Sequence, residues 1–200
     1  MKKVKIVIIC ISISGFIFFF GKFLWDGFFS HIFPWTKTNF RNYQEYIELL
    51  DDHLFYARCR FVKEIPEDAT AVKYYCHQRY REKYAAHSIV LADEYEQIAG
   101  ERISPYLEYC NGDPEMLIYE SKEDRWGLDD LKQAGAEVDF IQNVMQNTNE
   151  QQGYYCLVVI QIGTTHGMCY TGVILNDTTR EVIEFSVELP DEYIQAREGQ

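Results

Sequence analysis

YYCLVVIQI (Tyr154–Ile162), MCYTGVIL (Met168–Leu175) and EVIEFSV (Glu181–Val187) are three runs rich in β-branched and aromatic residues. Gly163-Thr164-Thr165-His166-Gly167 joins the first two, and Asn176-Asp177-Thr178-Thr179 joins the second to the third. Both are turn-forming clusters, and connections this short force neighbouring strands to run antiparallel. The stretch therefore predicts a three-strand meander. The first run is apolar on both faces and is expected to be central. In the third, Ile183, Phe185 and Val187 alternate with Val182, Glu184 and Ser186, which predicts one buried and one partly wet face.

Working outward, Ala71–Tyr80 and Lys83–Leu91 read as a hairpin with Arg81-Glu82 between them. Tyr74, Tyr75, Tyr80 and Tyr84 alternate there with Lys73, Arg79, Arg81 and Lys83. Aromatics among cations can form a platform for single-stranded nucleic acid, although cross-strand packing accounts for the same residues. Phe40, Tyr43, Ile47, Leu50 and Leu54 recur at helical spacing, with Thr38 or Asn39 as the expected cap. Arg58–Lys63 reads as a short extended piece. Asp93 followed by Glu96 resembles a capping box, and Gly100 and Ser104-Pro105 divide the helix that follows. Cys110-Asn111-Gly112-Asp113-Pro114 signals a turn. Met116–Tyr119 reads as a short strand, Leu128–Ala134 as a helix stopped by Gly135, and Val138, Ile141 and Met145 as a further helix. These features predict an α+β fold, an antiparallel sheet made of the meander plus the hairpin and covered by helices.

The opposite end of the chain has another character. Ile6–Phe20 contains no charged residue and follows Met1-Lys2-Lys3-Val4-Lys5. A helix rises about 1.5 Å per residue, so about 20 residues cross a hydrocarbon core. Ile6 to Trp25 supplies that length, with Lys22 near its end able to snorkel. Ile6, Ile9, Phe16, Phe20 and Trp25 are the expected anchor residues. No Ala-x-Ala-like site follows, which favours an uncleaved signal anchor over a signal peptide, and Ile9 before Cys10 disfavours a lipoprotein. Lys2, Lys3 and Lys5 predict a cytoplasmic flank and a domain outside the cell membrane. Ser12, Ser14 and Gly15 are small or polar enough for the helix to pack on another.

Charge agrees with this division. The first 25 residues carry four lysines and no acid, leaving fifteen basic against 31 acidic residues, a net charge of −16. That balance argues against nucleic acid and against tight docking on anionic lipid headgroups, and it suits an extracytoplasmic domain held clear of the surface. Six cysteines include Cys10 in the apolar run, leaving Cys59, Cys76, Cys110, Cys156 and Cys169. Disulfides and buried thiols both remain open for these five. No CxxC, HExxH, phosphate-binding glycine loop, GxSxG elbow or EF-hand loop occurs, so neither a cofactor nor a metal is implied.

The candidate catalytic residues are His166 and Cys169, an imidazole three positions before a thiol. Cys76-His77 with His87 is a weaker metal candidate, because adjacent strand residues point to opposite faces. The expected organisation is a cytoplasmic stub and transmembrane helix over 1–25 and an aromatic juxtamembrane segment over 26–37. An extracytoplasmic α+β domain follows over 38–190, with a polar tail over 191–200. The expected role is a non-enzymatic binding or accessory module with membrane lipid, through its helix, and a protein at the membrane as partners; it predicts an exposed aromatic or acidic patch with no convergent polar cleft. The alternative is a thiol-dependent or other hydrolase.

Overall fold

A computed structural model describes residues 21, 34–52, 61, 64–79, 82–110, 113–120, 125–146, 153–164 and 167–190. The anchor run, the Arg58–Lys63 piece except Phe61, His166 and the tail after Pro190 lie outside them. Among the described residues no helix is long and apolar enough to cross a membrane.

The strands are β1 (Trp35–Lys37), β2 (Ala69–Arg79), β3 (Glu82–Leu91), β4 (Leu117–Glu120), β5 (Tyr154–Thr164), β6 (Gly167–Asn176) and β7 (Glu181–Pro190). They form one seven-stranded sheet in the order β1-β2-β3-β7-β6-β5-β4, antiparallel throughout. Among the described residues the helices include α1 (Tyr43–Asp52), α2 (Tyr95–Glu101), α3 (Ser104–Cys110) and α4 (Leu128–Gln133), with 3-10 turns at Pro114–Met116 and Asp139–Asn143. The fold is α+β, with the expected meander and hairpin in a single sheet.

The meander and hairpin join where β3 pairs with β7, Ala86 opposite Phe185 and His87 opposite Glu184. The middle strand is therefore β7, not the apolar β5. Nor does β7 have a wet face: Glu184 is 1% exposed and Glu181 is fully buried. Ile183, Phe185 and Val187 pack with Leu131, Phe140 and Ile141 from the α4 side. Val182 packs on the other face with Tyr95, Ile98 and Tyr106 of α2 and α3. On that same face α1 sets Tyr46 and Leu50 against Cys76 and Ala85. Helices thus cover both sides of the sheet, and a strand at its centre buries both sets of side chains.

Helix starts depart from the local reading in an instructive way. Asn42 caps α1 in place of Thr38 or Asn39, its Oδ1 accepting the Glu45 amide at 2.9 Å. Tyr46, absent from the predicted stripe, is the fully buried ring of that helix. At α2 the capping carboxylate is not Asp93. Asp68 Oδ2, from the turn before β2, accepts the amides of Asp93 and Glu94, both at 3.2 Å. Any oxygen that reaches these orphan amides satisfies them, so a residue distant in sequence replaces the local cap. Gly135 closes α4 with a φ of 90°, which costs glycine little. The residues around Ile141 form a 3-10 turn instead of a full helix.

Trp35–Lys37, at the end of the segment read as juxtamembrane, is strand. Trp35 lies opposite Gln78 and Lys37 opposite Cys76.

Candidate functional site

The register divides the sheet into two ends. Ala69, Leu91, Glu181, Asn176 and Tyr154 share one end, while Arg79, Glu82, Pro190, Gly167 and Thr164 share the other. At the first end, the β6–β7 turn is tied by Asn176 Oδ1, which accepts the amides of Thr178 at 3.0 Å and Thr179 at 3.1 Å. This Asx arrangement holds Asp177 at the mouth of a cleft of about 850 Å³ between α2, β5 and the turn.

Three elements converge on Asp177. Tyr95 of α2 donates its hydroxyl to Oδ1 at 2.9 Å, and Tyr155 of β5 donates to the same oxygen at 2.7 Å. Arg125 donates Nη1 to Oδ2 at 2.7 Å. Its guanidinium also lies 4.1 Å from the centre of the Tyr155 ring, a cation–π contact. Leu157, Leu175 and Ala99 supply apolar wall, and Asp93, Glu94 and Glu96 line the same cleft.

Each group here is pushed away from titration near neutrality. Burial raises the Asp177 carboxyl, but hydrogen bonds from Tyr155, Arg125 and Tyr95 together outweigh it and hold the group below the usual Asp range. Burial, then the bond to Asp177, pushes the Tyr155 phenol up to about 12. The same two causes raise Tyr95. Arg125 is raised chiefly by its bond to Asp177. Asp177 stays ionised and both phenols stay protonated, so these groups present fixed donors, acceptors and charge. General acid–base catalysis needs a group that titrates near the working pH, and Asp177, Tyr95, Tyr155 and Arg125 are all shifted away from it.

The thiols are placed differently. Cys169 lies within β6 and is 1% exposed. Its Sγ is 3.6 Å from Ser186 Oγ and 3.9 Å from the Tyr170 carbonyl oxygen. His166 lies outside the described residues. Cys76, Cys110, Cys156 and Cys169 are all buried. Burial pushes Cys156 up to about 12, with the charge of Asp130 adding to it, and burial also raises Cys110. Neither is a thiolate nucleophile near neutral pH. Cys76 and His77 do point to opposite faces: Cys76 packs in the α1 cluster, while His77 Nδ1 lies 2.7 Å from Thr36 Oγ1. No group of metal-ligating side chains occurs among the described residues.

Two buried polar clusters went unforeseen in the sequence. On the α2–α3 face, Glu184 Oε2 accepts Arg102 Nη1 at 2.8 Å and Oε1 accepts the Tyr106 hydroxyl at 3.2 Å. His87 Nε2 lies 3.0 Å from Glu184 Oε2, and the His87 ring meets Tyr43, Tyr46 and Phe61 edge to face. On the α4 face, Glu181 accepts Ser88 Oγ and Tyr154 OH, each at 2.5 Å, and the Gln146 amide at 3.1 Å. A glutamate inside an otherwise apolar strand was the available signal, but its donors lie 27 to 93 residues away.

No family model, no curated protein and no solved structure matches this chain.

Proposed function

We propose that this chain is a binding or accessory module tethered at the outer face of a cell membrane, and that the cleft around Asp177 receives a protein ligand. The carrying observation is the cluster itself, a convergent polar cleft in place of the open patch that the sequence led one to expect for this role. An ionised carboxylate, two protonated phenols and a guanidinium are held by three separate elements in an open cleft. Their fixed protonation states supply hydrogen-bonding specificity without a group poised to transfer protons. Apolar wall beside a few convergent polar groups suits a peptide side chain entering from a partner.

The tether rests on the sequence. Ile6–Phe20 is uncharged, Lys2, Lys3 and Lys5 flank it, and the balance changes from +4 before Asp26 to −16 after Trp25. The basic flank supports a cytoplasmic stub and an external domain, in a single pass. The alternative, a hydrolase using His166 and Cys169, gains no support from the burial of Cys169 within a strand.

The test is capture from intact membranes with the full chain as bait, wild type against Asp177→Asn and Arg125→Glu. A protein recovered by the wild type and lost with both variants supports the cleft; equal recovery by all three overturns it. Topology has its own measurement. Gly100 is exposed and open space surrounds its position, so Gly100→Cys accepts a thiol reagent. An impermeant reagent should label it on intact cells above the wild-type background; protection until lysis reverses the orientation.

A further inference from the structure

We propose that the end of the sheet bearing Arg79 and Glu82 rests against the phospholipid headgroups, displaying the Asp177 cleft away from the membrane. This rests on the tether reading and adds which face of the domain meets lipid. Three observations carry it.

The first is where the chain reaches the sheet. Trp35 pairs with Gln78, one residue before the end of β2, so Pro34 arrives beside the hairpin end and lines a groove of about 610 Å³ there. From Trp25 to Pro34 the chain takes nine residue steps, and at about 3.4 Å each it reaches at most about 30 Å. β2 has eleven residues, which at about 3.3 Å per residue sets Ala69 and the Asp177 cleft about 33 Å further along the sheet.

The second is the chemistry of that groove. Tyr75, Tyr84 and Phe140 wall it together with Arg79. Phe140 lies 6.1 Å from Tyr75 and 5.2 Å from Tyr84 between ring centres. Both tyrosines are half-buried, and Arg79 is exposed. Rings with an apolar body and a wet edge favour the headgroup layer, and a guanidinium binds phosphate through paired hydrogen bonds.

The third is charge. At this end Lys83 faces Glu188 at 3.5 Å and Arg79 stands opposite Glu82, so acids and bases are mixed. The far end carries Asp68, Asp93, Glu94, Glu96 and Asp177 against Arg125 and Arg180. Headgroup phosphates repel that end and tolerate the other, so a net charge of −16 does not exclude local contact.

The experiment uses the full chain in vesicles of phosphatidylcholine and phosphatidylglycerol. Gly163 and Gly100 are both exposed with open space around them, one at each end. A fluorophore is attached at Gly163→Cys or Gly100→Cys and quenched by spin labels on the lipid headgroups. The expected result is quenching several-fold stronger at Gly163, reduced when Arg79→Glu is added. Equal quenching at the two positions, or stronger quenching at Gly100, overturns the proposed face while leaving the tether intact. Failure of the chain to float with the vesicles overturns the tether, and this proposal with it.

Discussion

Arg102 and Glu184 form an ion pair inside the protein, Nη1 to Oε2 at 2.8 Å, with side chains 4% and 1% exposed. Arg102 directly follows α2, and Glu184 sits in the middle of β7. The pair thus ties the connection between α2 and α3 to the central strand. Buried charges are costly to desolvate, and removing one member strands the other.

Arg102→Met should therefore destabilise the fold by about 3–5 kcal/mol, because Glu184 loses its guanidinium while remaining buried. Arg102→Met combined with Glu184→Leu should recover much of that loss. Urea unfolding of the full chain in detergent measures both. An Arg102→Met midpoint equal to wild type would mean that the pair contributes nothing.

Asp177 sets an acid dependence. Its folded pKa lies below the ordinary 3.8, so its contribution is present above that value and is lost as pH falls through the folded pKa. The stability gap between wild type and Asp177→Asn should stay level from neutral pH to about pH 4 and close below it. A gap that closes between pH 7 and 5 would contradict the arrangement.

The buried thiols should be inert. Cys156, pushed up to about 12 by burial, and Cys110, also raised, should resist alkylation in the folded protein at pH 8 and react fully in denaturant. Peptide mapping by mass spectrometry after timed alkylation reads each site. Rapid native modification of Cys156 would show that β5 opens there.

Gly172 is required by strand packing. A Cβ at this position would lie 2.3 Å from the Val158 carbonyl oxygen and 3.0 Å from the Val159 Cα. Both obstacles are backbone, so the cross-strand neighbour cannot move aside cheaply. Gly172→Ala should cost about 3 kcal/mol, visible as a lowered thermal midpoint, whereas Gly163→Ala should be nearly silent.

Periodicity carried much of the fold. The turns at Gly163–Gly167 and Asn176–Thr179 required antiparallel neighbours, and the structure has β5, β6 and β7 paired in that way. The hairpin and the helix from Tyr43 were legible for the same reason, because local spacing decides them. Misreadings arose where a distant residue supplied what local chemistry lacked. Asp68 caps α2 from 25 residues away. Glu184 looked wet because a lone glutamate normally is, and Arg102 and Tyr106 reach it only after the chain folds. The candidate site was equally hidden: Tyr95, Arg125, Tyr155 and Asp177 form no spaced motif, and nothing in the local sequence marks any one of them.

By itself the sequence determined the strand runs of the meander, their antiparallel sense, the uncharged run Ile6–Phe20 and the acidity of everything beyond it. These follow from short-range pattern and composition. Only the tertiary structure decided that β7 is the centre of the sheet and that Glu181 and Glu184 are interior. It also decided that the acids of α2 and the β6–β7 turn gather at one end of the sheet, opposite the point where Pro34 arrives. The physical reason is that strand order and buried charge compensation depend on groups far apart in sequence, and no local period encodes which of them will meet.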